Sequence, residues 1–78
     1  MKILFYGRLA DAIDRQIELD APDGCSVADI RRRLAASYPD AAATLDRSRA
    51  CVGSALVADS HAIAADEAVE FLPPVSGG

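Results

Sequence analysis

The chain has 78 residues, a net charge of −4, 51% hydrophobic and 26% charged residues. A chain of this length forms one small domain and buries only about 60% of the surface its unfolded form exposes, which argues against a deep catalytic cleft within one copy. Twelve acidic against eight basic residues argue against a sequence-independent nucleic-acid binder, which needs a phosphate-neutralising basic patch.

The opening run, Met1 to Tyr6, places Ile3 and Phe5 on one side of an alternating strand and Lys2, Leu4 and Tyr6 on the other. Both sides are largely apolar, which predicts a central strand covered on two faces. Gly7-Arg8 stops the run too early for a secretory segment. No stretch approaches the ~20 apolar residues of a membrane span, and a cytoplasmic location is expected. Arg8 to Asp14 fit a short helical turn or a loop. Gln16 to Asp20 alternate as a half-buried strand does, and Ala21-Pro22-Asp23-Gly24 is a turn signal.

Ser26 then stands at a helix N-cap position with Asp29 three residues on, the spacing of a capping box. Val27, Ile30, Leu34 and Tyr38 follow as one apolar stripe, with Arg31 and Arg32 placed largely outside it. Pro39 ends the helix. Ala41 to Leu45 fit a further helical turn. Ala50 to Gly53 and Ala55 to Val57 are short apolar runs that read as strands, and Asp59-Ser60-His61 reads as a turn. Ala68 to Leu72 form the last strand, with Val69 and Phe71 on one face, and Pro73-Pro74 stop it because neither proline donates a ladder hydrogen bond. The order is β-β-α-β-(β)-β, an α+β fold with a helix across one face of a mixed sheet.

Chemistry-bearing side chains are sparse. His61, the single histidine, has no partner at metal-ligand spacing and reads as a solvated turn residue. Cys25 and Cys51 lack a CxxC arrangement and read as free thiols, Cys51 as a small core residue. Gly7-Arg8 lacks the glycine spacing of a phosphate loop. Arg31-Arg32-Arg33 reads as the solvated side of a helix.

The ending is different. Val75-Ser76-Gly77-Gly78 carries no charged side chain, and a random chain ends in Gly-Gly roughly once in 200. A glycine pair passes through a narrow channel, because it lacks Cβ. Pro73-Pro74 favours an extended exit. At ~3.3 Å per residue, Val75 to Gly78 span about 13 Å, enough to place a carboxylate inside another protein's pocket.

The chain resembles the small, sulfur-carrier subunit family of molybdopterin synthase. The resemblance rests on Phe5-Tyr6-Gly7-Arg8-Leu9, on the helix opening at Ser26-Val27, and most specifically on the run from Asp66 to Gly78. Two positions depart from the family pattern: Gly53-Ser54 follows Val52 where the family often has Asn, and Ala65 stands where it often has Gly. Both bear on local turns rather than on the tail.

The resemblance implies a β-grasp (ubiquitin-like) domain over residues 1–72 and a carrier tail over 73–78. It also implies that an E1-like activating enzyme adenylates the Gly78 carboxylate with ATP and that a sulfur donor replaces AMP to leave a thiocarboxylate. The loaded tail then enters the synthase large subunit, within a heterotetramer, and gives sulfur to cyclic pyranopterin monophosphate. On that reading Gly77 provides clearance, and Pro73, Pro74, Val75 and Ser76 contact the channel. Phe71 and Leu72 help dock the partner. The chain binds no cofactor of its own and carries no catalytic residue. A carrier for another sulfur-containing product (a thiazole or an amino acid), a ubiquitin-like modifier joined to lysines, and an inert-tailed interaction module are the competing readings.

Overall fold

The computed structural model describes residues 1–74. Strand β1 (Lys2–Phe5) turns Ile3 and Phe5 inward and Lys2 and Leu4 outward, as the two-residue period of a strand requires. Helix α1 (Arg8–Ala12) follows, with Leu9 buried, and leads into β2 (Gln16–Glu18). The two-residue strand β3 (Cys25–Ser26) runs directly into α2 (Val27–Ser37). A 3-10 turn (Pro39–Ala41) and α3 (Ala42–Arg47) complete the helical layer. Strands β4 (Arg49–Val52), β5 (Ala55–Val57), β6 (Ala62–Ile63) and β7 (Ala68–Leu72) close the chain.

The main sheet has the order β2-β1-β7-β4-β5. Strands β1 and β7 pair in parallel and the other neighbours antiparallel. The last strand in sequence is therefore the middle strand of the sheet. Strands β3 and β6 form a separate short pair. The helices and sheet enclose one core that includes Ile3, Phe5, Val27, Ile30, Leu34, Leu45, Ile63, Val69 and Phe71. This is the helix-on-mixed-sheet architecture expected of the β-grasp.

The helix α2 forms where its sequence directs. Ser26 Oγ accepts from the Asp29 backbone N–H at 3.1 Å, and the Ser26 N–H donates to Asp29 Oδ2 at 3.1 Å. The reciprocal pair satisfies two of the donors that every helix start leaves open. Val27, Ile30 and Leu34 are fully buried, whereas Tyr38 sits half-buried at the C-cap.

Three expectations are corrected. Strand β1 is covered on one face only: Leu4 is half-buried and Lys2 and Tyr6 are exposed. The apolar residues on its other side belong to an outer sheet face, not to a second core. Cys51 is buried but lies outside the core cluster, on that same outer face opposite Glu70 and Leu56. Arg31 is not solvated; its side chain is 13% exposed. As expected, both cysteines are free thiols, and His61 is exposed within a turn closed by its backbone N–H on the Ala58 carbonyl at 3.0 Å.

Candidate functional site at the root of the tail

Pro73 and Pro74 leave β7 beside the turn that follows β1. Tyr6 N–H donates to the Phe71 carbonyl at 3.2 Å, which carries the β1–β7 pairing to the end of both strands. Gly7 then turns the chain with φ 63 and ψ −135, a conformation open to glycine and costly for other residues. A Cβ at Gly7 would lie 3.5 Å from the Pro73 ring. The turn and the tail root are thus in near contact. Together they wall an open groove of about 740 Å³. Tyr6, Pro73 and Pro74 give it an apolar surface, and Arg8 and Arg47 flank it.

Phe71 is fully buried. Its ring stacks on Phe5 with centroids 6.0 Å apart, and the Arg31 guanidinium lies over it, 5.2 Å from the centroid. The expected docking role of the Phe71 side chain is corrected accordingly: the strand's alternation turns it into the core. Leu72 takes the opposite face and is half-buried. It shares that face with Tyr6, 39% exposed, and Leu56, 57% exposed. The outer face therefore carries Leu4, Tyr6, Leu56 and Leu72 among the polar side chains of Lys2, Glu18, Arg49 and Glu70, and it reaches the tail root.

Arg31 holds the helical layer to the strand that carries the tail. It donates to the carbonyls of Leu45 and Ser48 and to Ser48 Oγ, capping the end of α3, and its Nε pairs with Asp59 at 3.0 Å. A guanidinium serves these partners at once because its donors are fixed in a planar fork. Its burial was not readable from the helix pattern, because the partners that enclose it, Leu45, Ser48 and Asp59, come from segments distant in sequence.

On the outer face the Tyr6 hydroxyl donates to Glu70 at 2.6 Å. That hydrogen bond, together with partial desolvation and the Glu70 charge, holds the phenol above its ordinary value of 10.0. The sequence alone assigned no site role to Tyr6, Leu56, Glu70, Arg8 or Arg47. Leu56 was findable, since Ala55 and Val57 flank it in a three-residue strand and a period of two puts it on the opposite face.

Val75, Ser76, Gly77 and Gly78 lie outside the described residues. Among the described residues there is no cluster of metal-ligating side chains, and no helix is long and apolar enough to cross a membrane.

Comparison with solved structures finds the same fold. Small archaeal modifier protein 1 of Haloferax volcanii superposes with a TM-score of 0.81 at 20% identity, covering 95% of each chain. A Pyrococcus furiosus protein described as molybdopterin converting factor, subunit 1, gives 0.82 at 18% identity, again over 95% of each chain. The Haloferax volcanii HVO 2177 protein gives 0.85 at 24% identity over 99% of this chain and 84% of the other. A sequence search of curated proteins found no significant match. The model of the ThiS family matches residues 3–78. The match runs through the core, the tail root and the glycine pair, and the chain belongs to the ThiS family of ubiquitin-like sulfur carriers.

Proposed function

We propose that the chain is the sulfur-carrier subunit of a molybdopterin synthase. An E1-like enzyme joins the Gly78 carboxylate to AMP, releasing pyrophosphate from ATP. A sulfur donor then attacks the acyl carbon, AMP leaves, and a thiocarboxylate remains. The tail enters the large subunit and passes its sulfur to cyclic pyranopterin monophosphate in molybdenum-cofactor assembly. The domain supplies no acid or base for these steps; it holds the tail root and presents it. Leu72, with Tyr6 and Leu56 on the same sheet face, offers the docking face, and the acyl transfer belongs to the partners.

The observation that carries this reading is the ending itself. Pro73-Pro74 continue from the middle strand of the sheet, and Val75-Ser76-Gly77-Gly78 follow them. A backbone without bulky side chains suits a narrow channel, and a rigid domain at its root fixes the direction of entry. The likeness to small archaeal modifier protein 1 favours a second reading, a modifier conjugated to lysines. A carrier for another sulfur-containing product retains the same tail chemistry.

Intact mass after incubation with the cell's activating enzyme, ATP and sulfide tests the carrier chemistry. A gain equal to exchanging one oxygen for sulfur, lost when Gly78 is deleted, is expected. An unchanged mass, with an enzyme competent on another tail, removes the carrier reading. Copurification with a pterin-binding large subunit supports the synthase, and isopeptide conjugates support the modifier.

A further inference from the structure

The groove at the tail root has an unusual charge for this protein. Acidic residues outnumber basic ones twelve to eight, yet the residues lining the groove include two arginines, Arg8 and Arg47, and no carboxylate. Both arginines are exposed. Among the described residues neither takes part in an ion pair. Arg47 stands in the last turn of α3, where the helix dipole favours a cation. Arg8 is the first residue of α1, where the dipole disfavours one. Local helix stability therefore does not explain its charge.

Pro73 and Pro74 are part of the groove wall. Any enzyme that takes in the tail brings its channel mouth to this point, since the four following residues reach only about 13 Å. We infer that the groove receives an acidic segment at the channel mouth of the activating enzyme, paired with Arg8 and Arg47 and packed on the apolar wall of Tyr6, Pro73 and Pro74. The inference rests on the carrier reading and adds to it a charge-complementary contact at the tail root, adjoining the outer sheet face at Tyr6. Such a contact acts chiefly on encounter and register, because charges at the rim of an interface steer association and penalise wrong partners.

The test is ATP–pyrophosphate exchange by the cell's activating enzyme, with the full chain as variable substrate. Arg8→Glu and Arg47→Glu are each expected to raise KM about three- to tenfold with kcat near wild type. The double variant rises further and loses much of the wild-type salt dependence, as removal of a screened attraction requires. Arg33→Glu on α2 gives the same change in net charge as either single variant, away from the groove, and is the reference. Thermal melting of each variant confirms that the domain is folded. A double variant whose KM matches that of Arg33→Glu overturns the inference. A double variant whose KM falls below wild type also overturns it. No exchange with the wild-type chain, by an enzyme active on another tail, overturns the carrier reading beneath it.

Discussion

At the scale of single residues, the β4–β5 hairpin turns on Gly53 and Ser54 with φ 58 and 67. A two-residue hairpin with both central residues at positive φ is the I′ turn, whose twist matches the flanking strands. Gly53 adopts it without penalty, but Ser54 holds its Cβ against the following carbonyl, at a cost of about 1–2 kcal/mol. Ser54→Gly relieves that strain and gives back part of it as unfolded-chain entropy. A net stabilisation of about 0.5–1 kcal/mol is expected in urea unfolding. The departure at Ala65 has a different outcome. Its φ is not positive, the turn is closed by Glu67 N–H on the Ala64 carbonyl at 3.0 Å, and glycine is not needed there.

At the scale of elements, two polar devices set how α2 meets its neighbours. In the capping box, the backbone hydrogen bond from Ser26, then that with its side chain and the nearby Arg32, hold the Asp29 carboxyl below its ordinary 3.8. The unfolded chain therefore takes up this proton at a higher pH than the folded one. The box contributes its full stability above pH 3.8 and loses it as the pH falls through the lower folded value. Asp29→Asn should accordingly be most destabilised relative to wild type near neutral pH, with the gap narrowing below pH 3.8, as read from paired urea titrations. Arg31 is the second device. Arg31→Met leaves the Ser48 carbonyl without its guanidinium partner and removes the cation above Phe71, at an expected cost of about 2–3 kcal/mol. Arg31→Lys should recover only a minor part, because an ammonium cannot reproduce the fork. Full recovery by lysine would show that charge alone matters.

At the scale of the molecule, the helix start, the alternating strands and the tail were legible because each depends on local spacing. Ser26 and Asp29 face each other across one helical turn wherever the chain is placed, and Val69 and Phe71 share a face by the period of a strand. What was not legible depends on which elements meet. Arg31 is buried because the end of α3 and the loop at Asp59 converge on it, and no local pattern states that convergence. The apolar outer side of β1 was read as a second buried face because Leu4 and Tyr6 are apolar whether a helix or a partner protein is to cover them. The groove needs the turn at Gly7, the end of α3 and the tail root, three segments separated along the chain.

The central place of β7 has a consequence for how the protein is made. Before Ala68–Leu72 emerges from the ribosome, β1–β2 and β4–β5 are two separate hairpins with no strand between them. Isolated two-stranded hairpins are marginal in water. The nascent chain therefore completes its sheet only once β7 has emerged. A product broken off upstream of β7 is expected to be an unfolded fragment open to proteolysis rather than a folded domain without a tail, and limited proteolysis of a chain ending before Ala68 checks this.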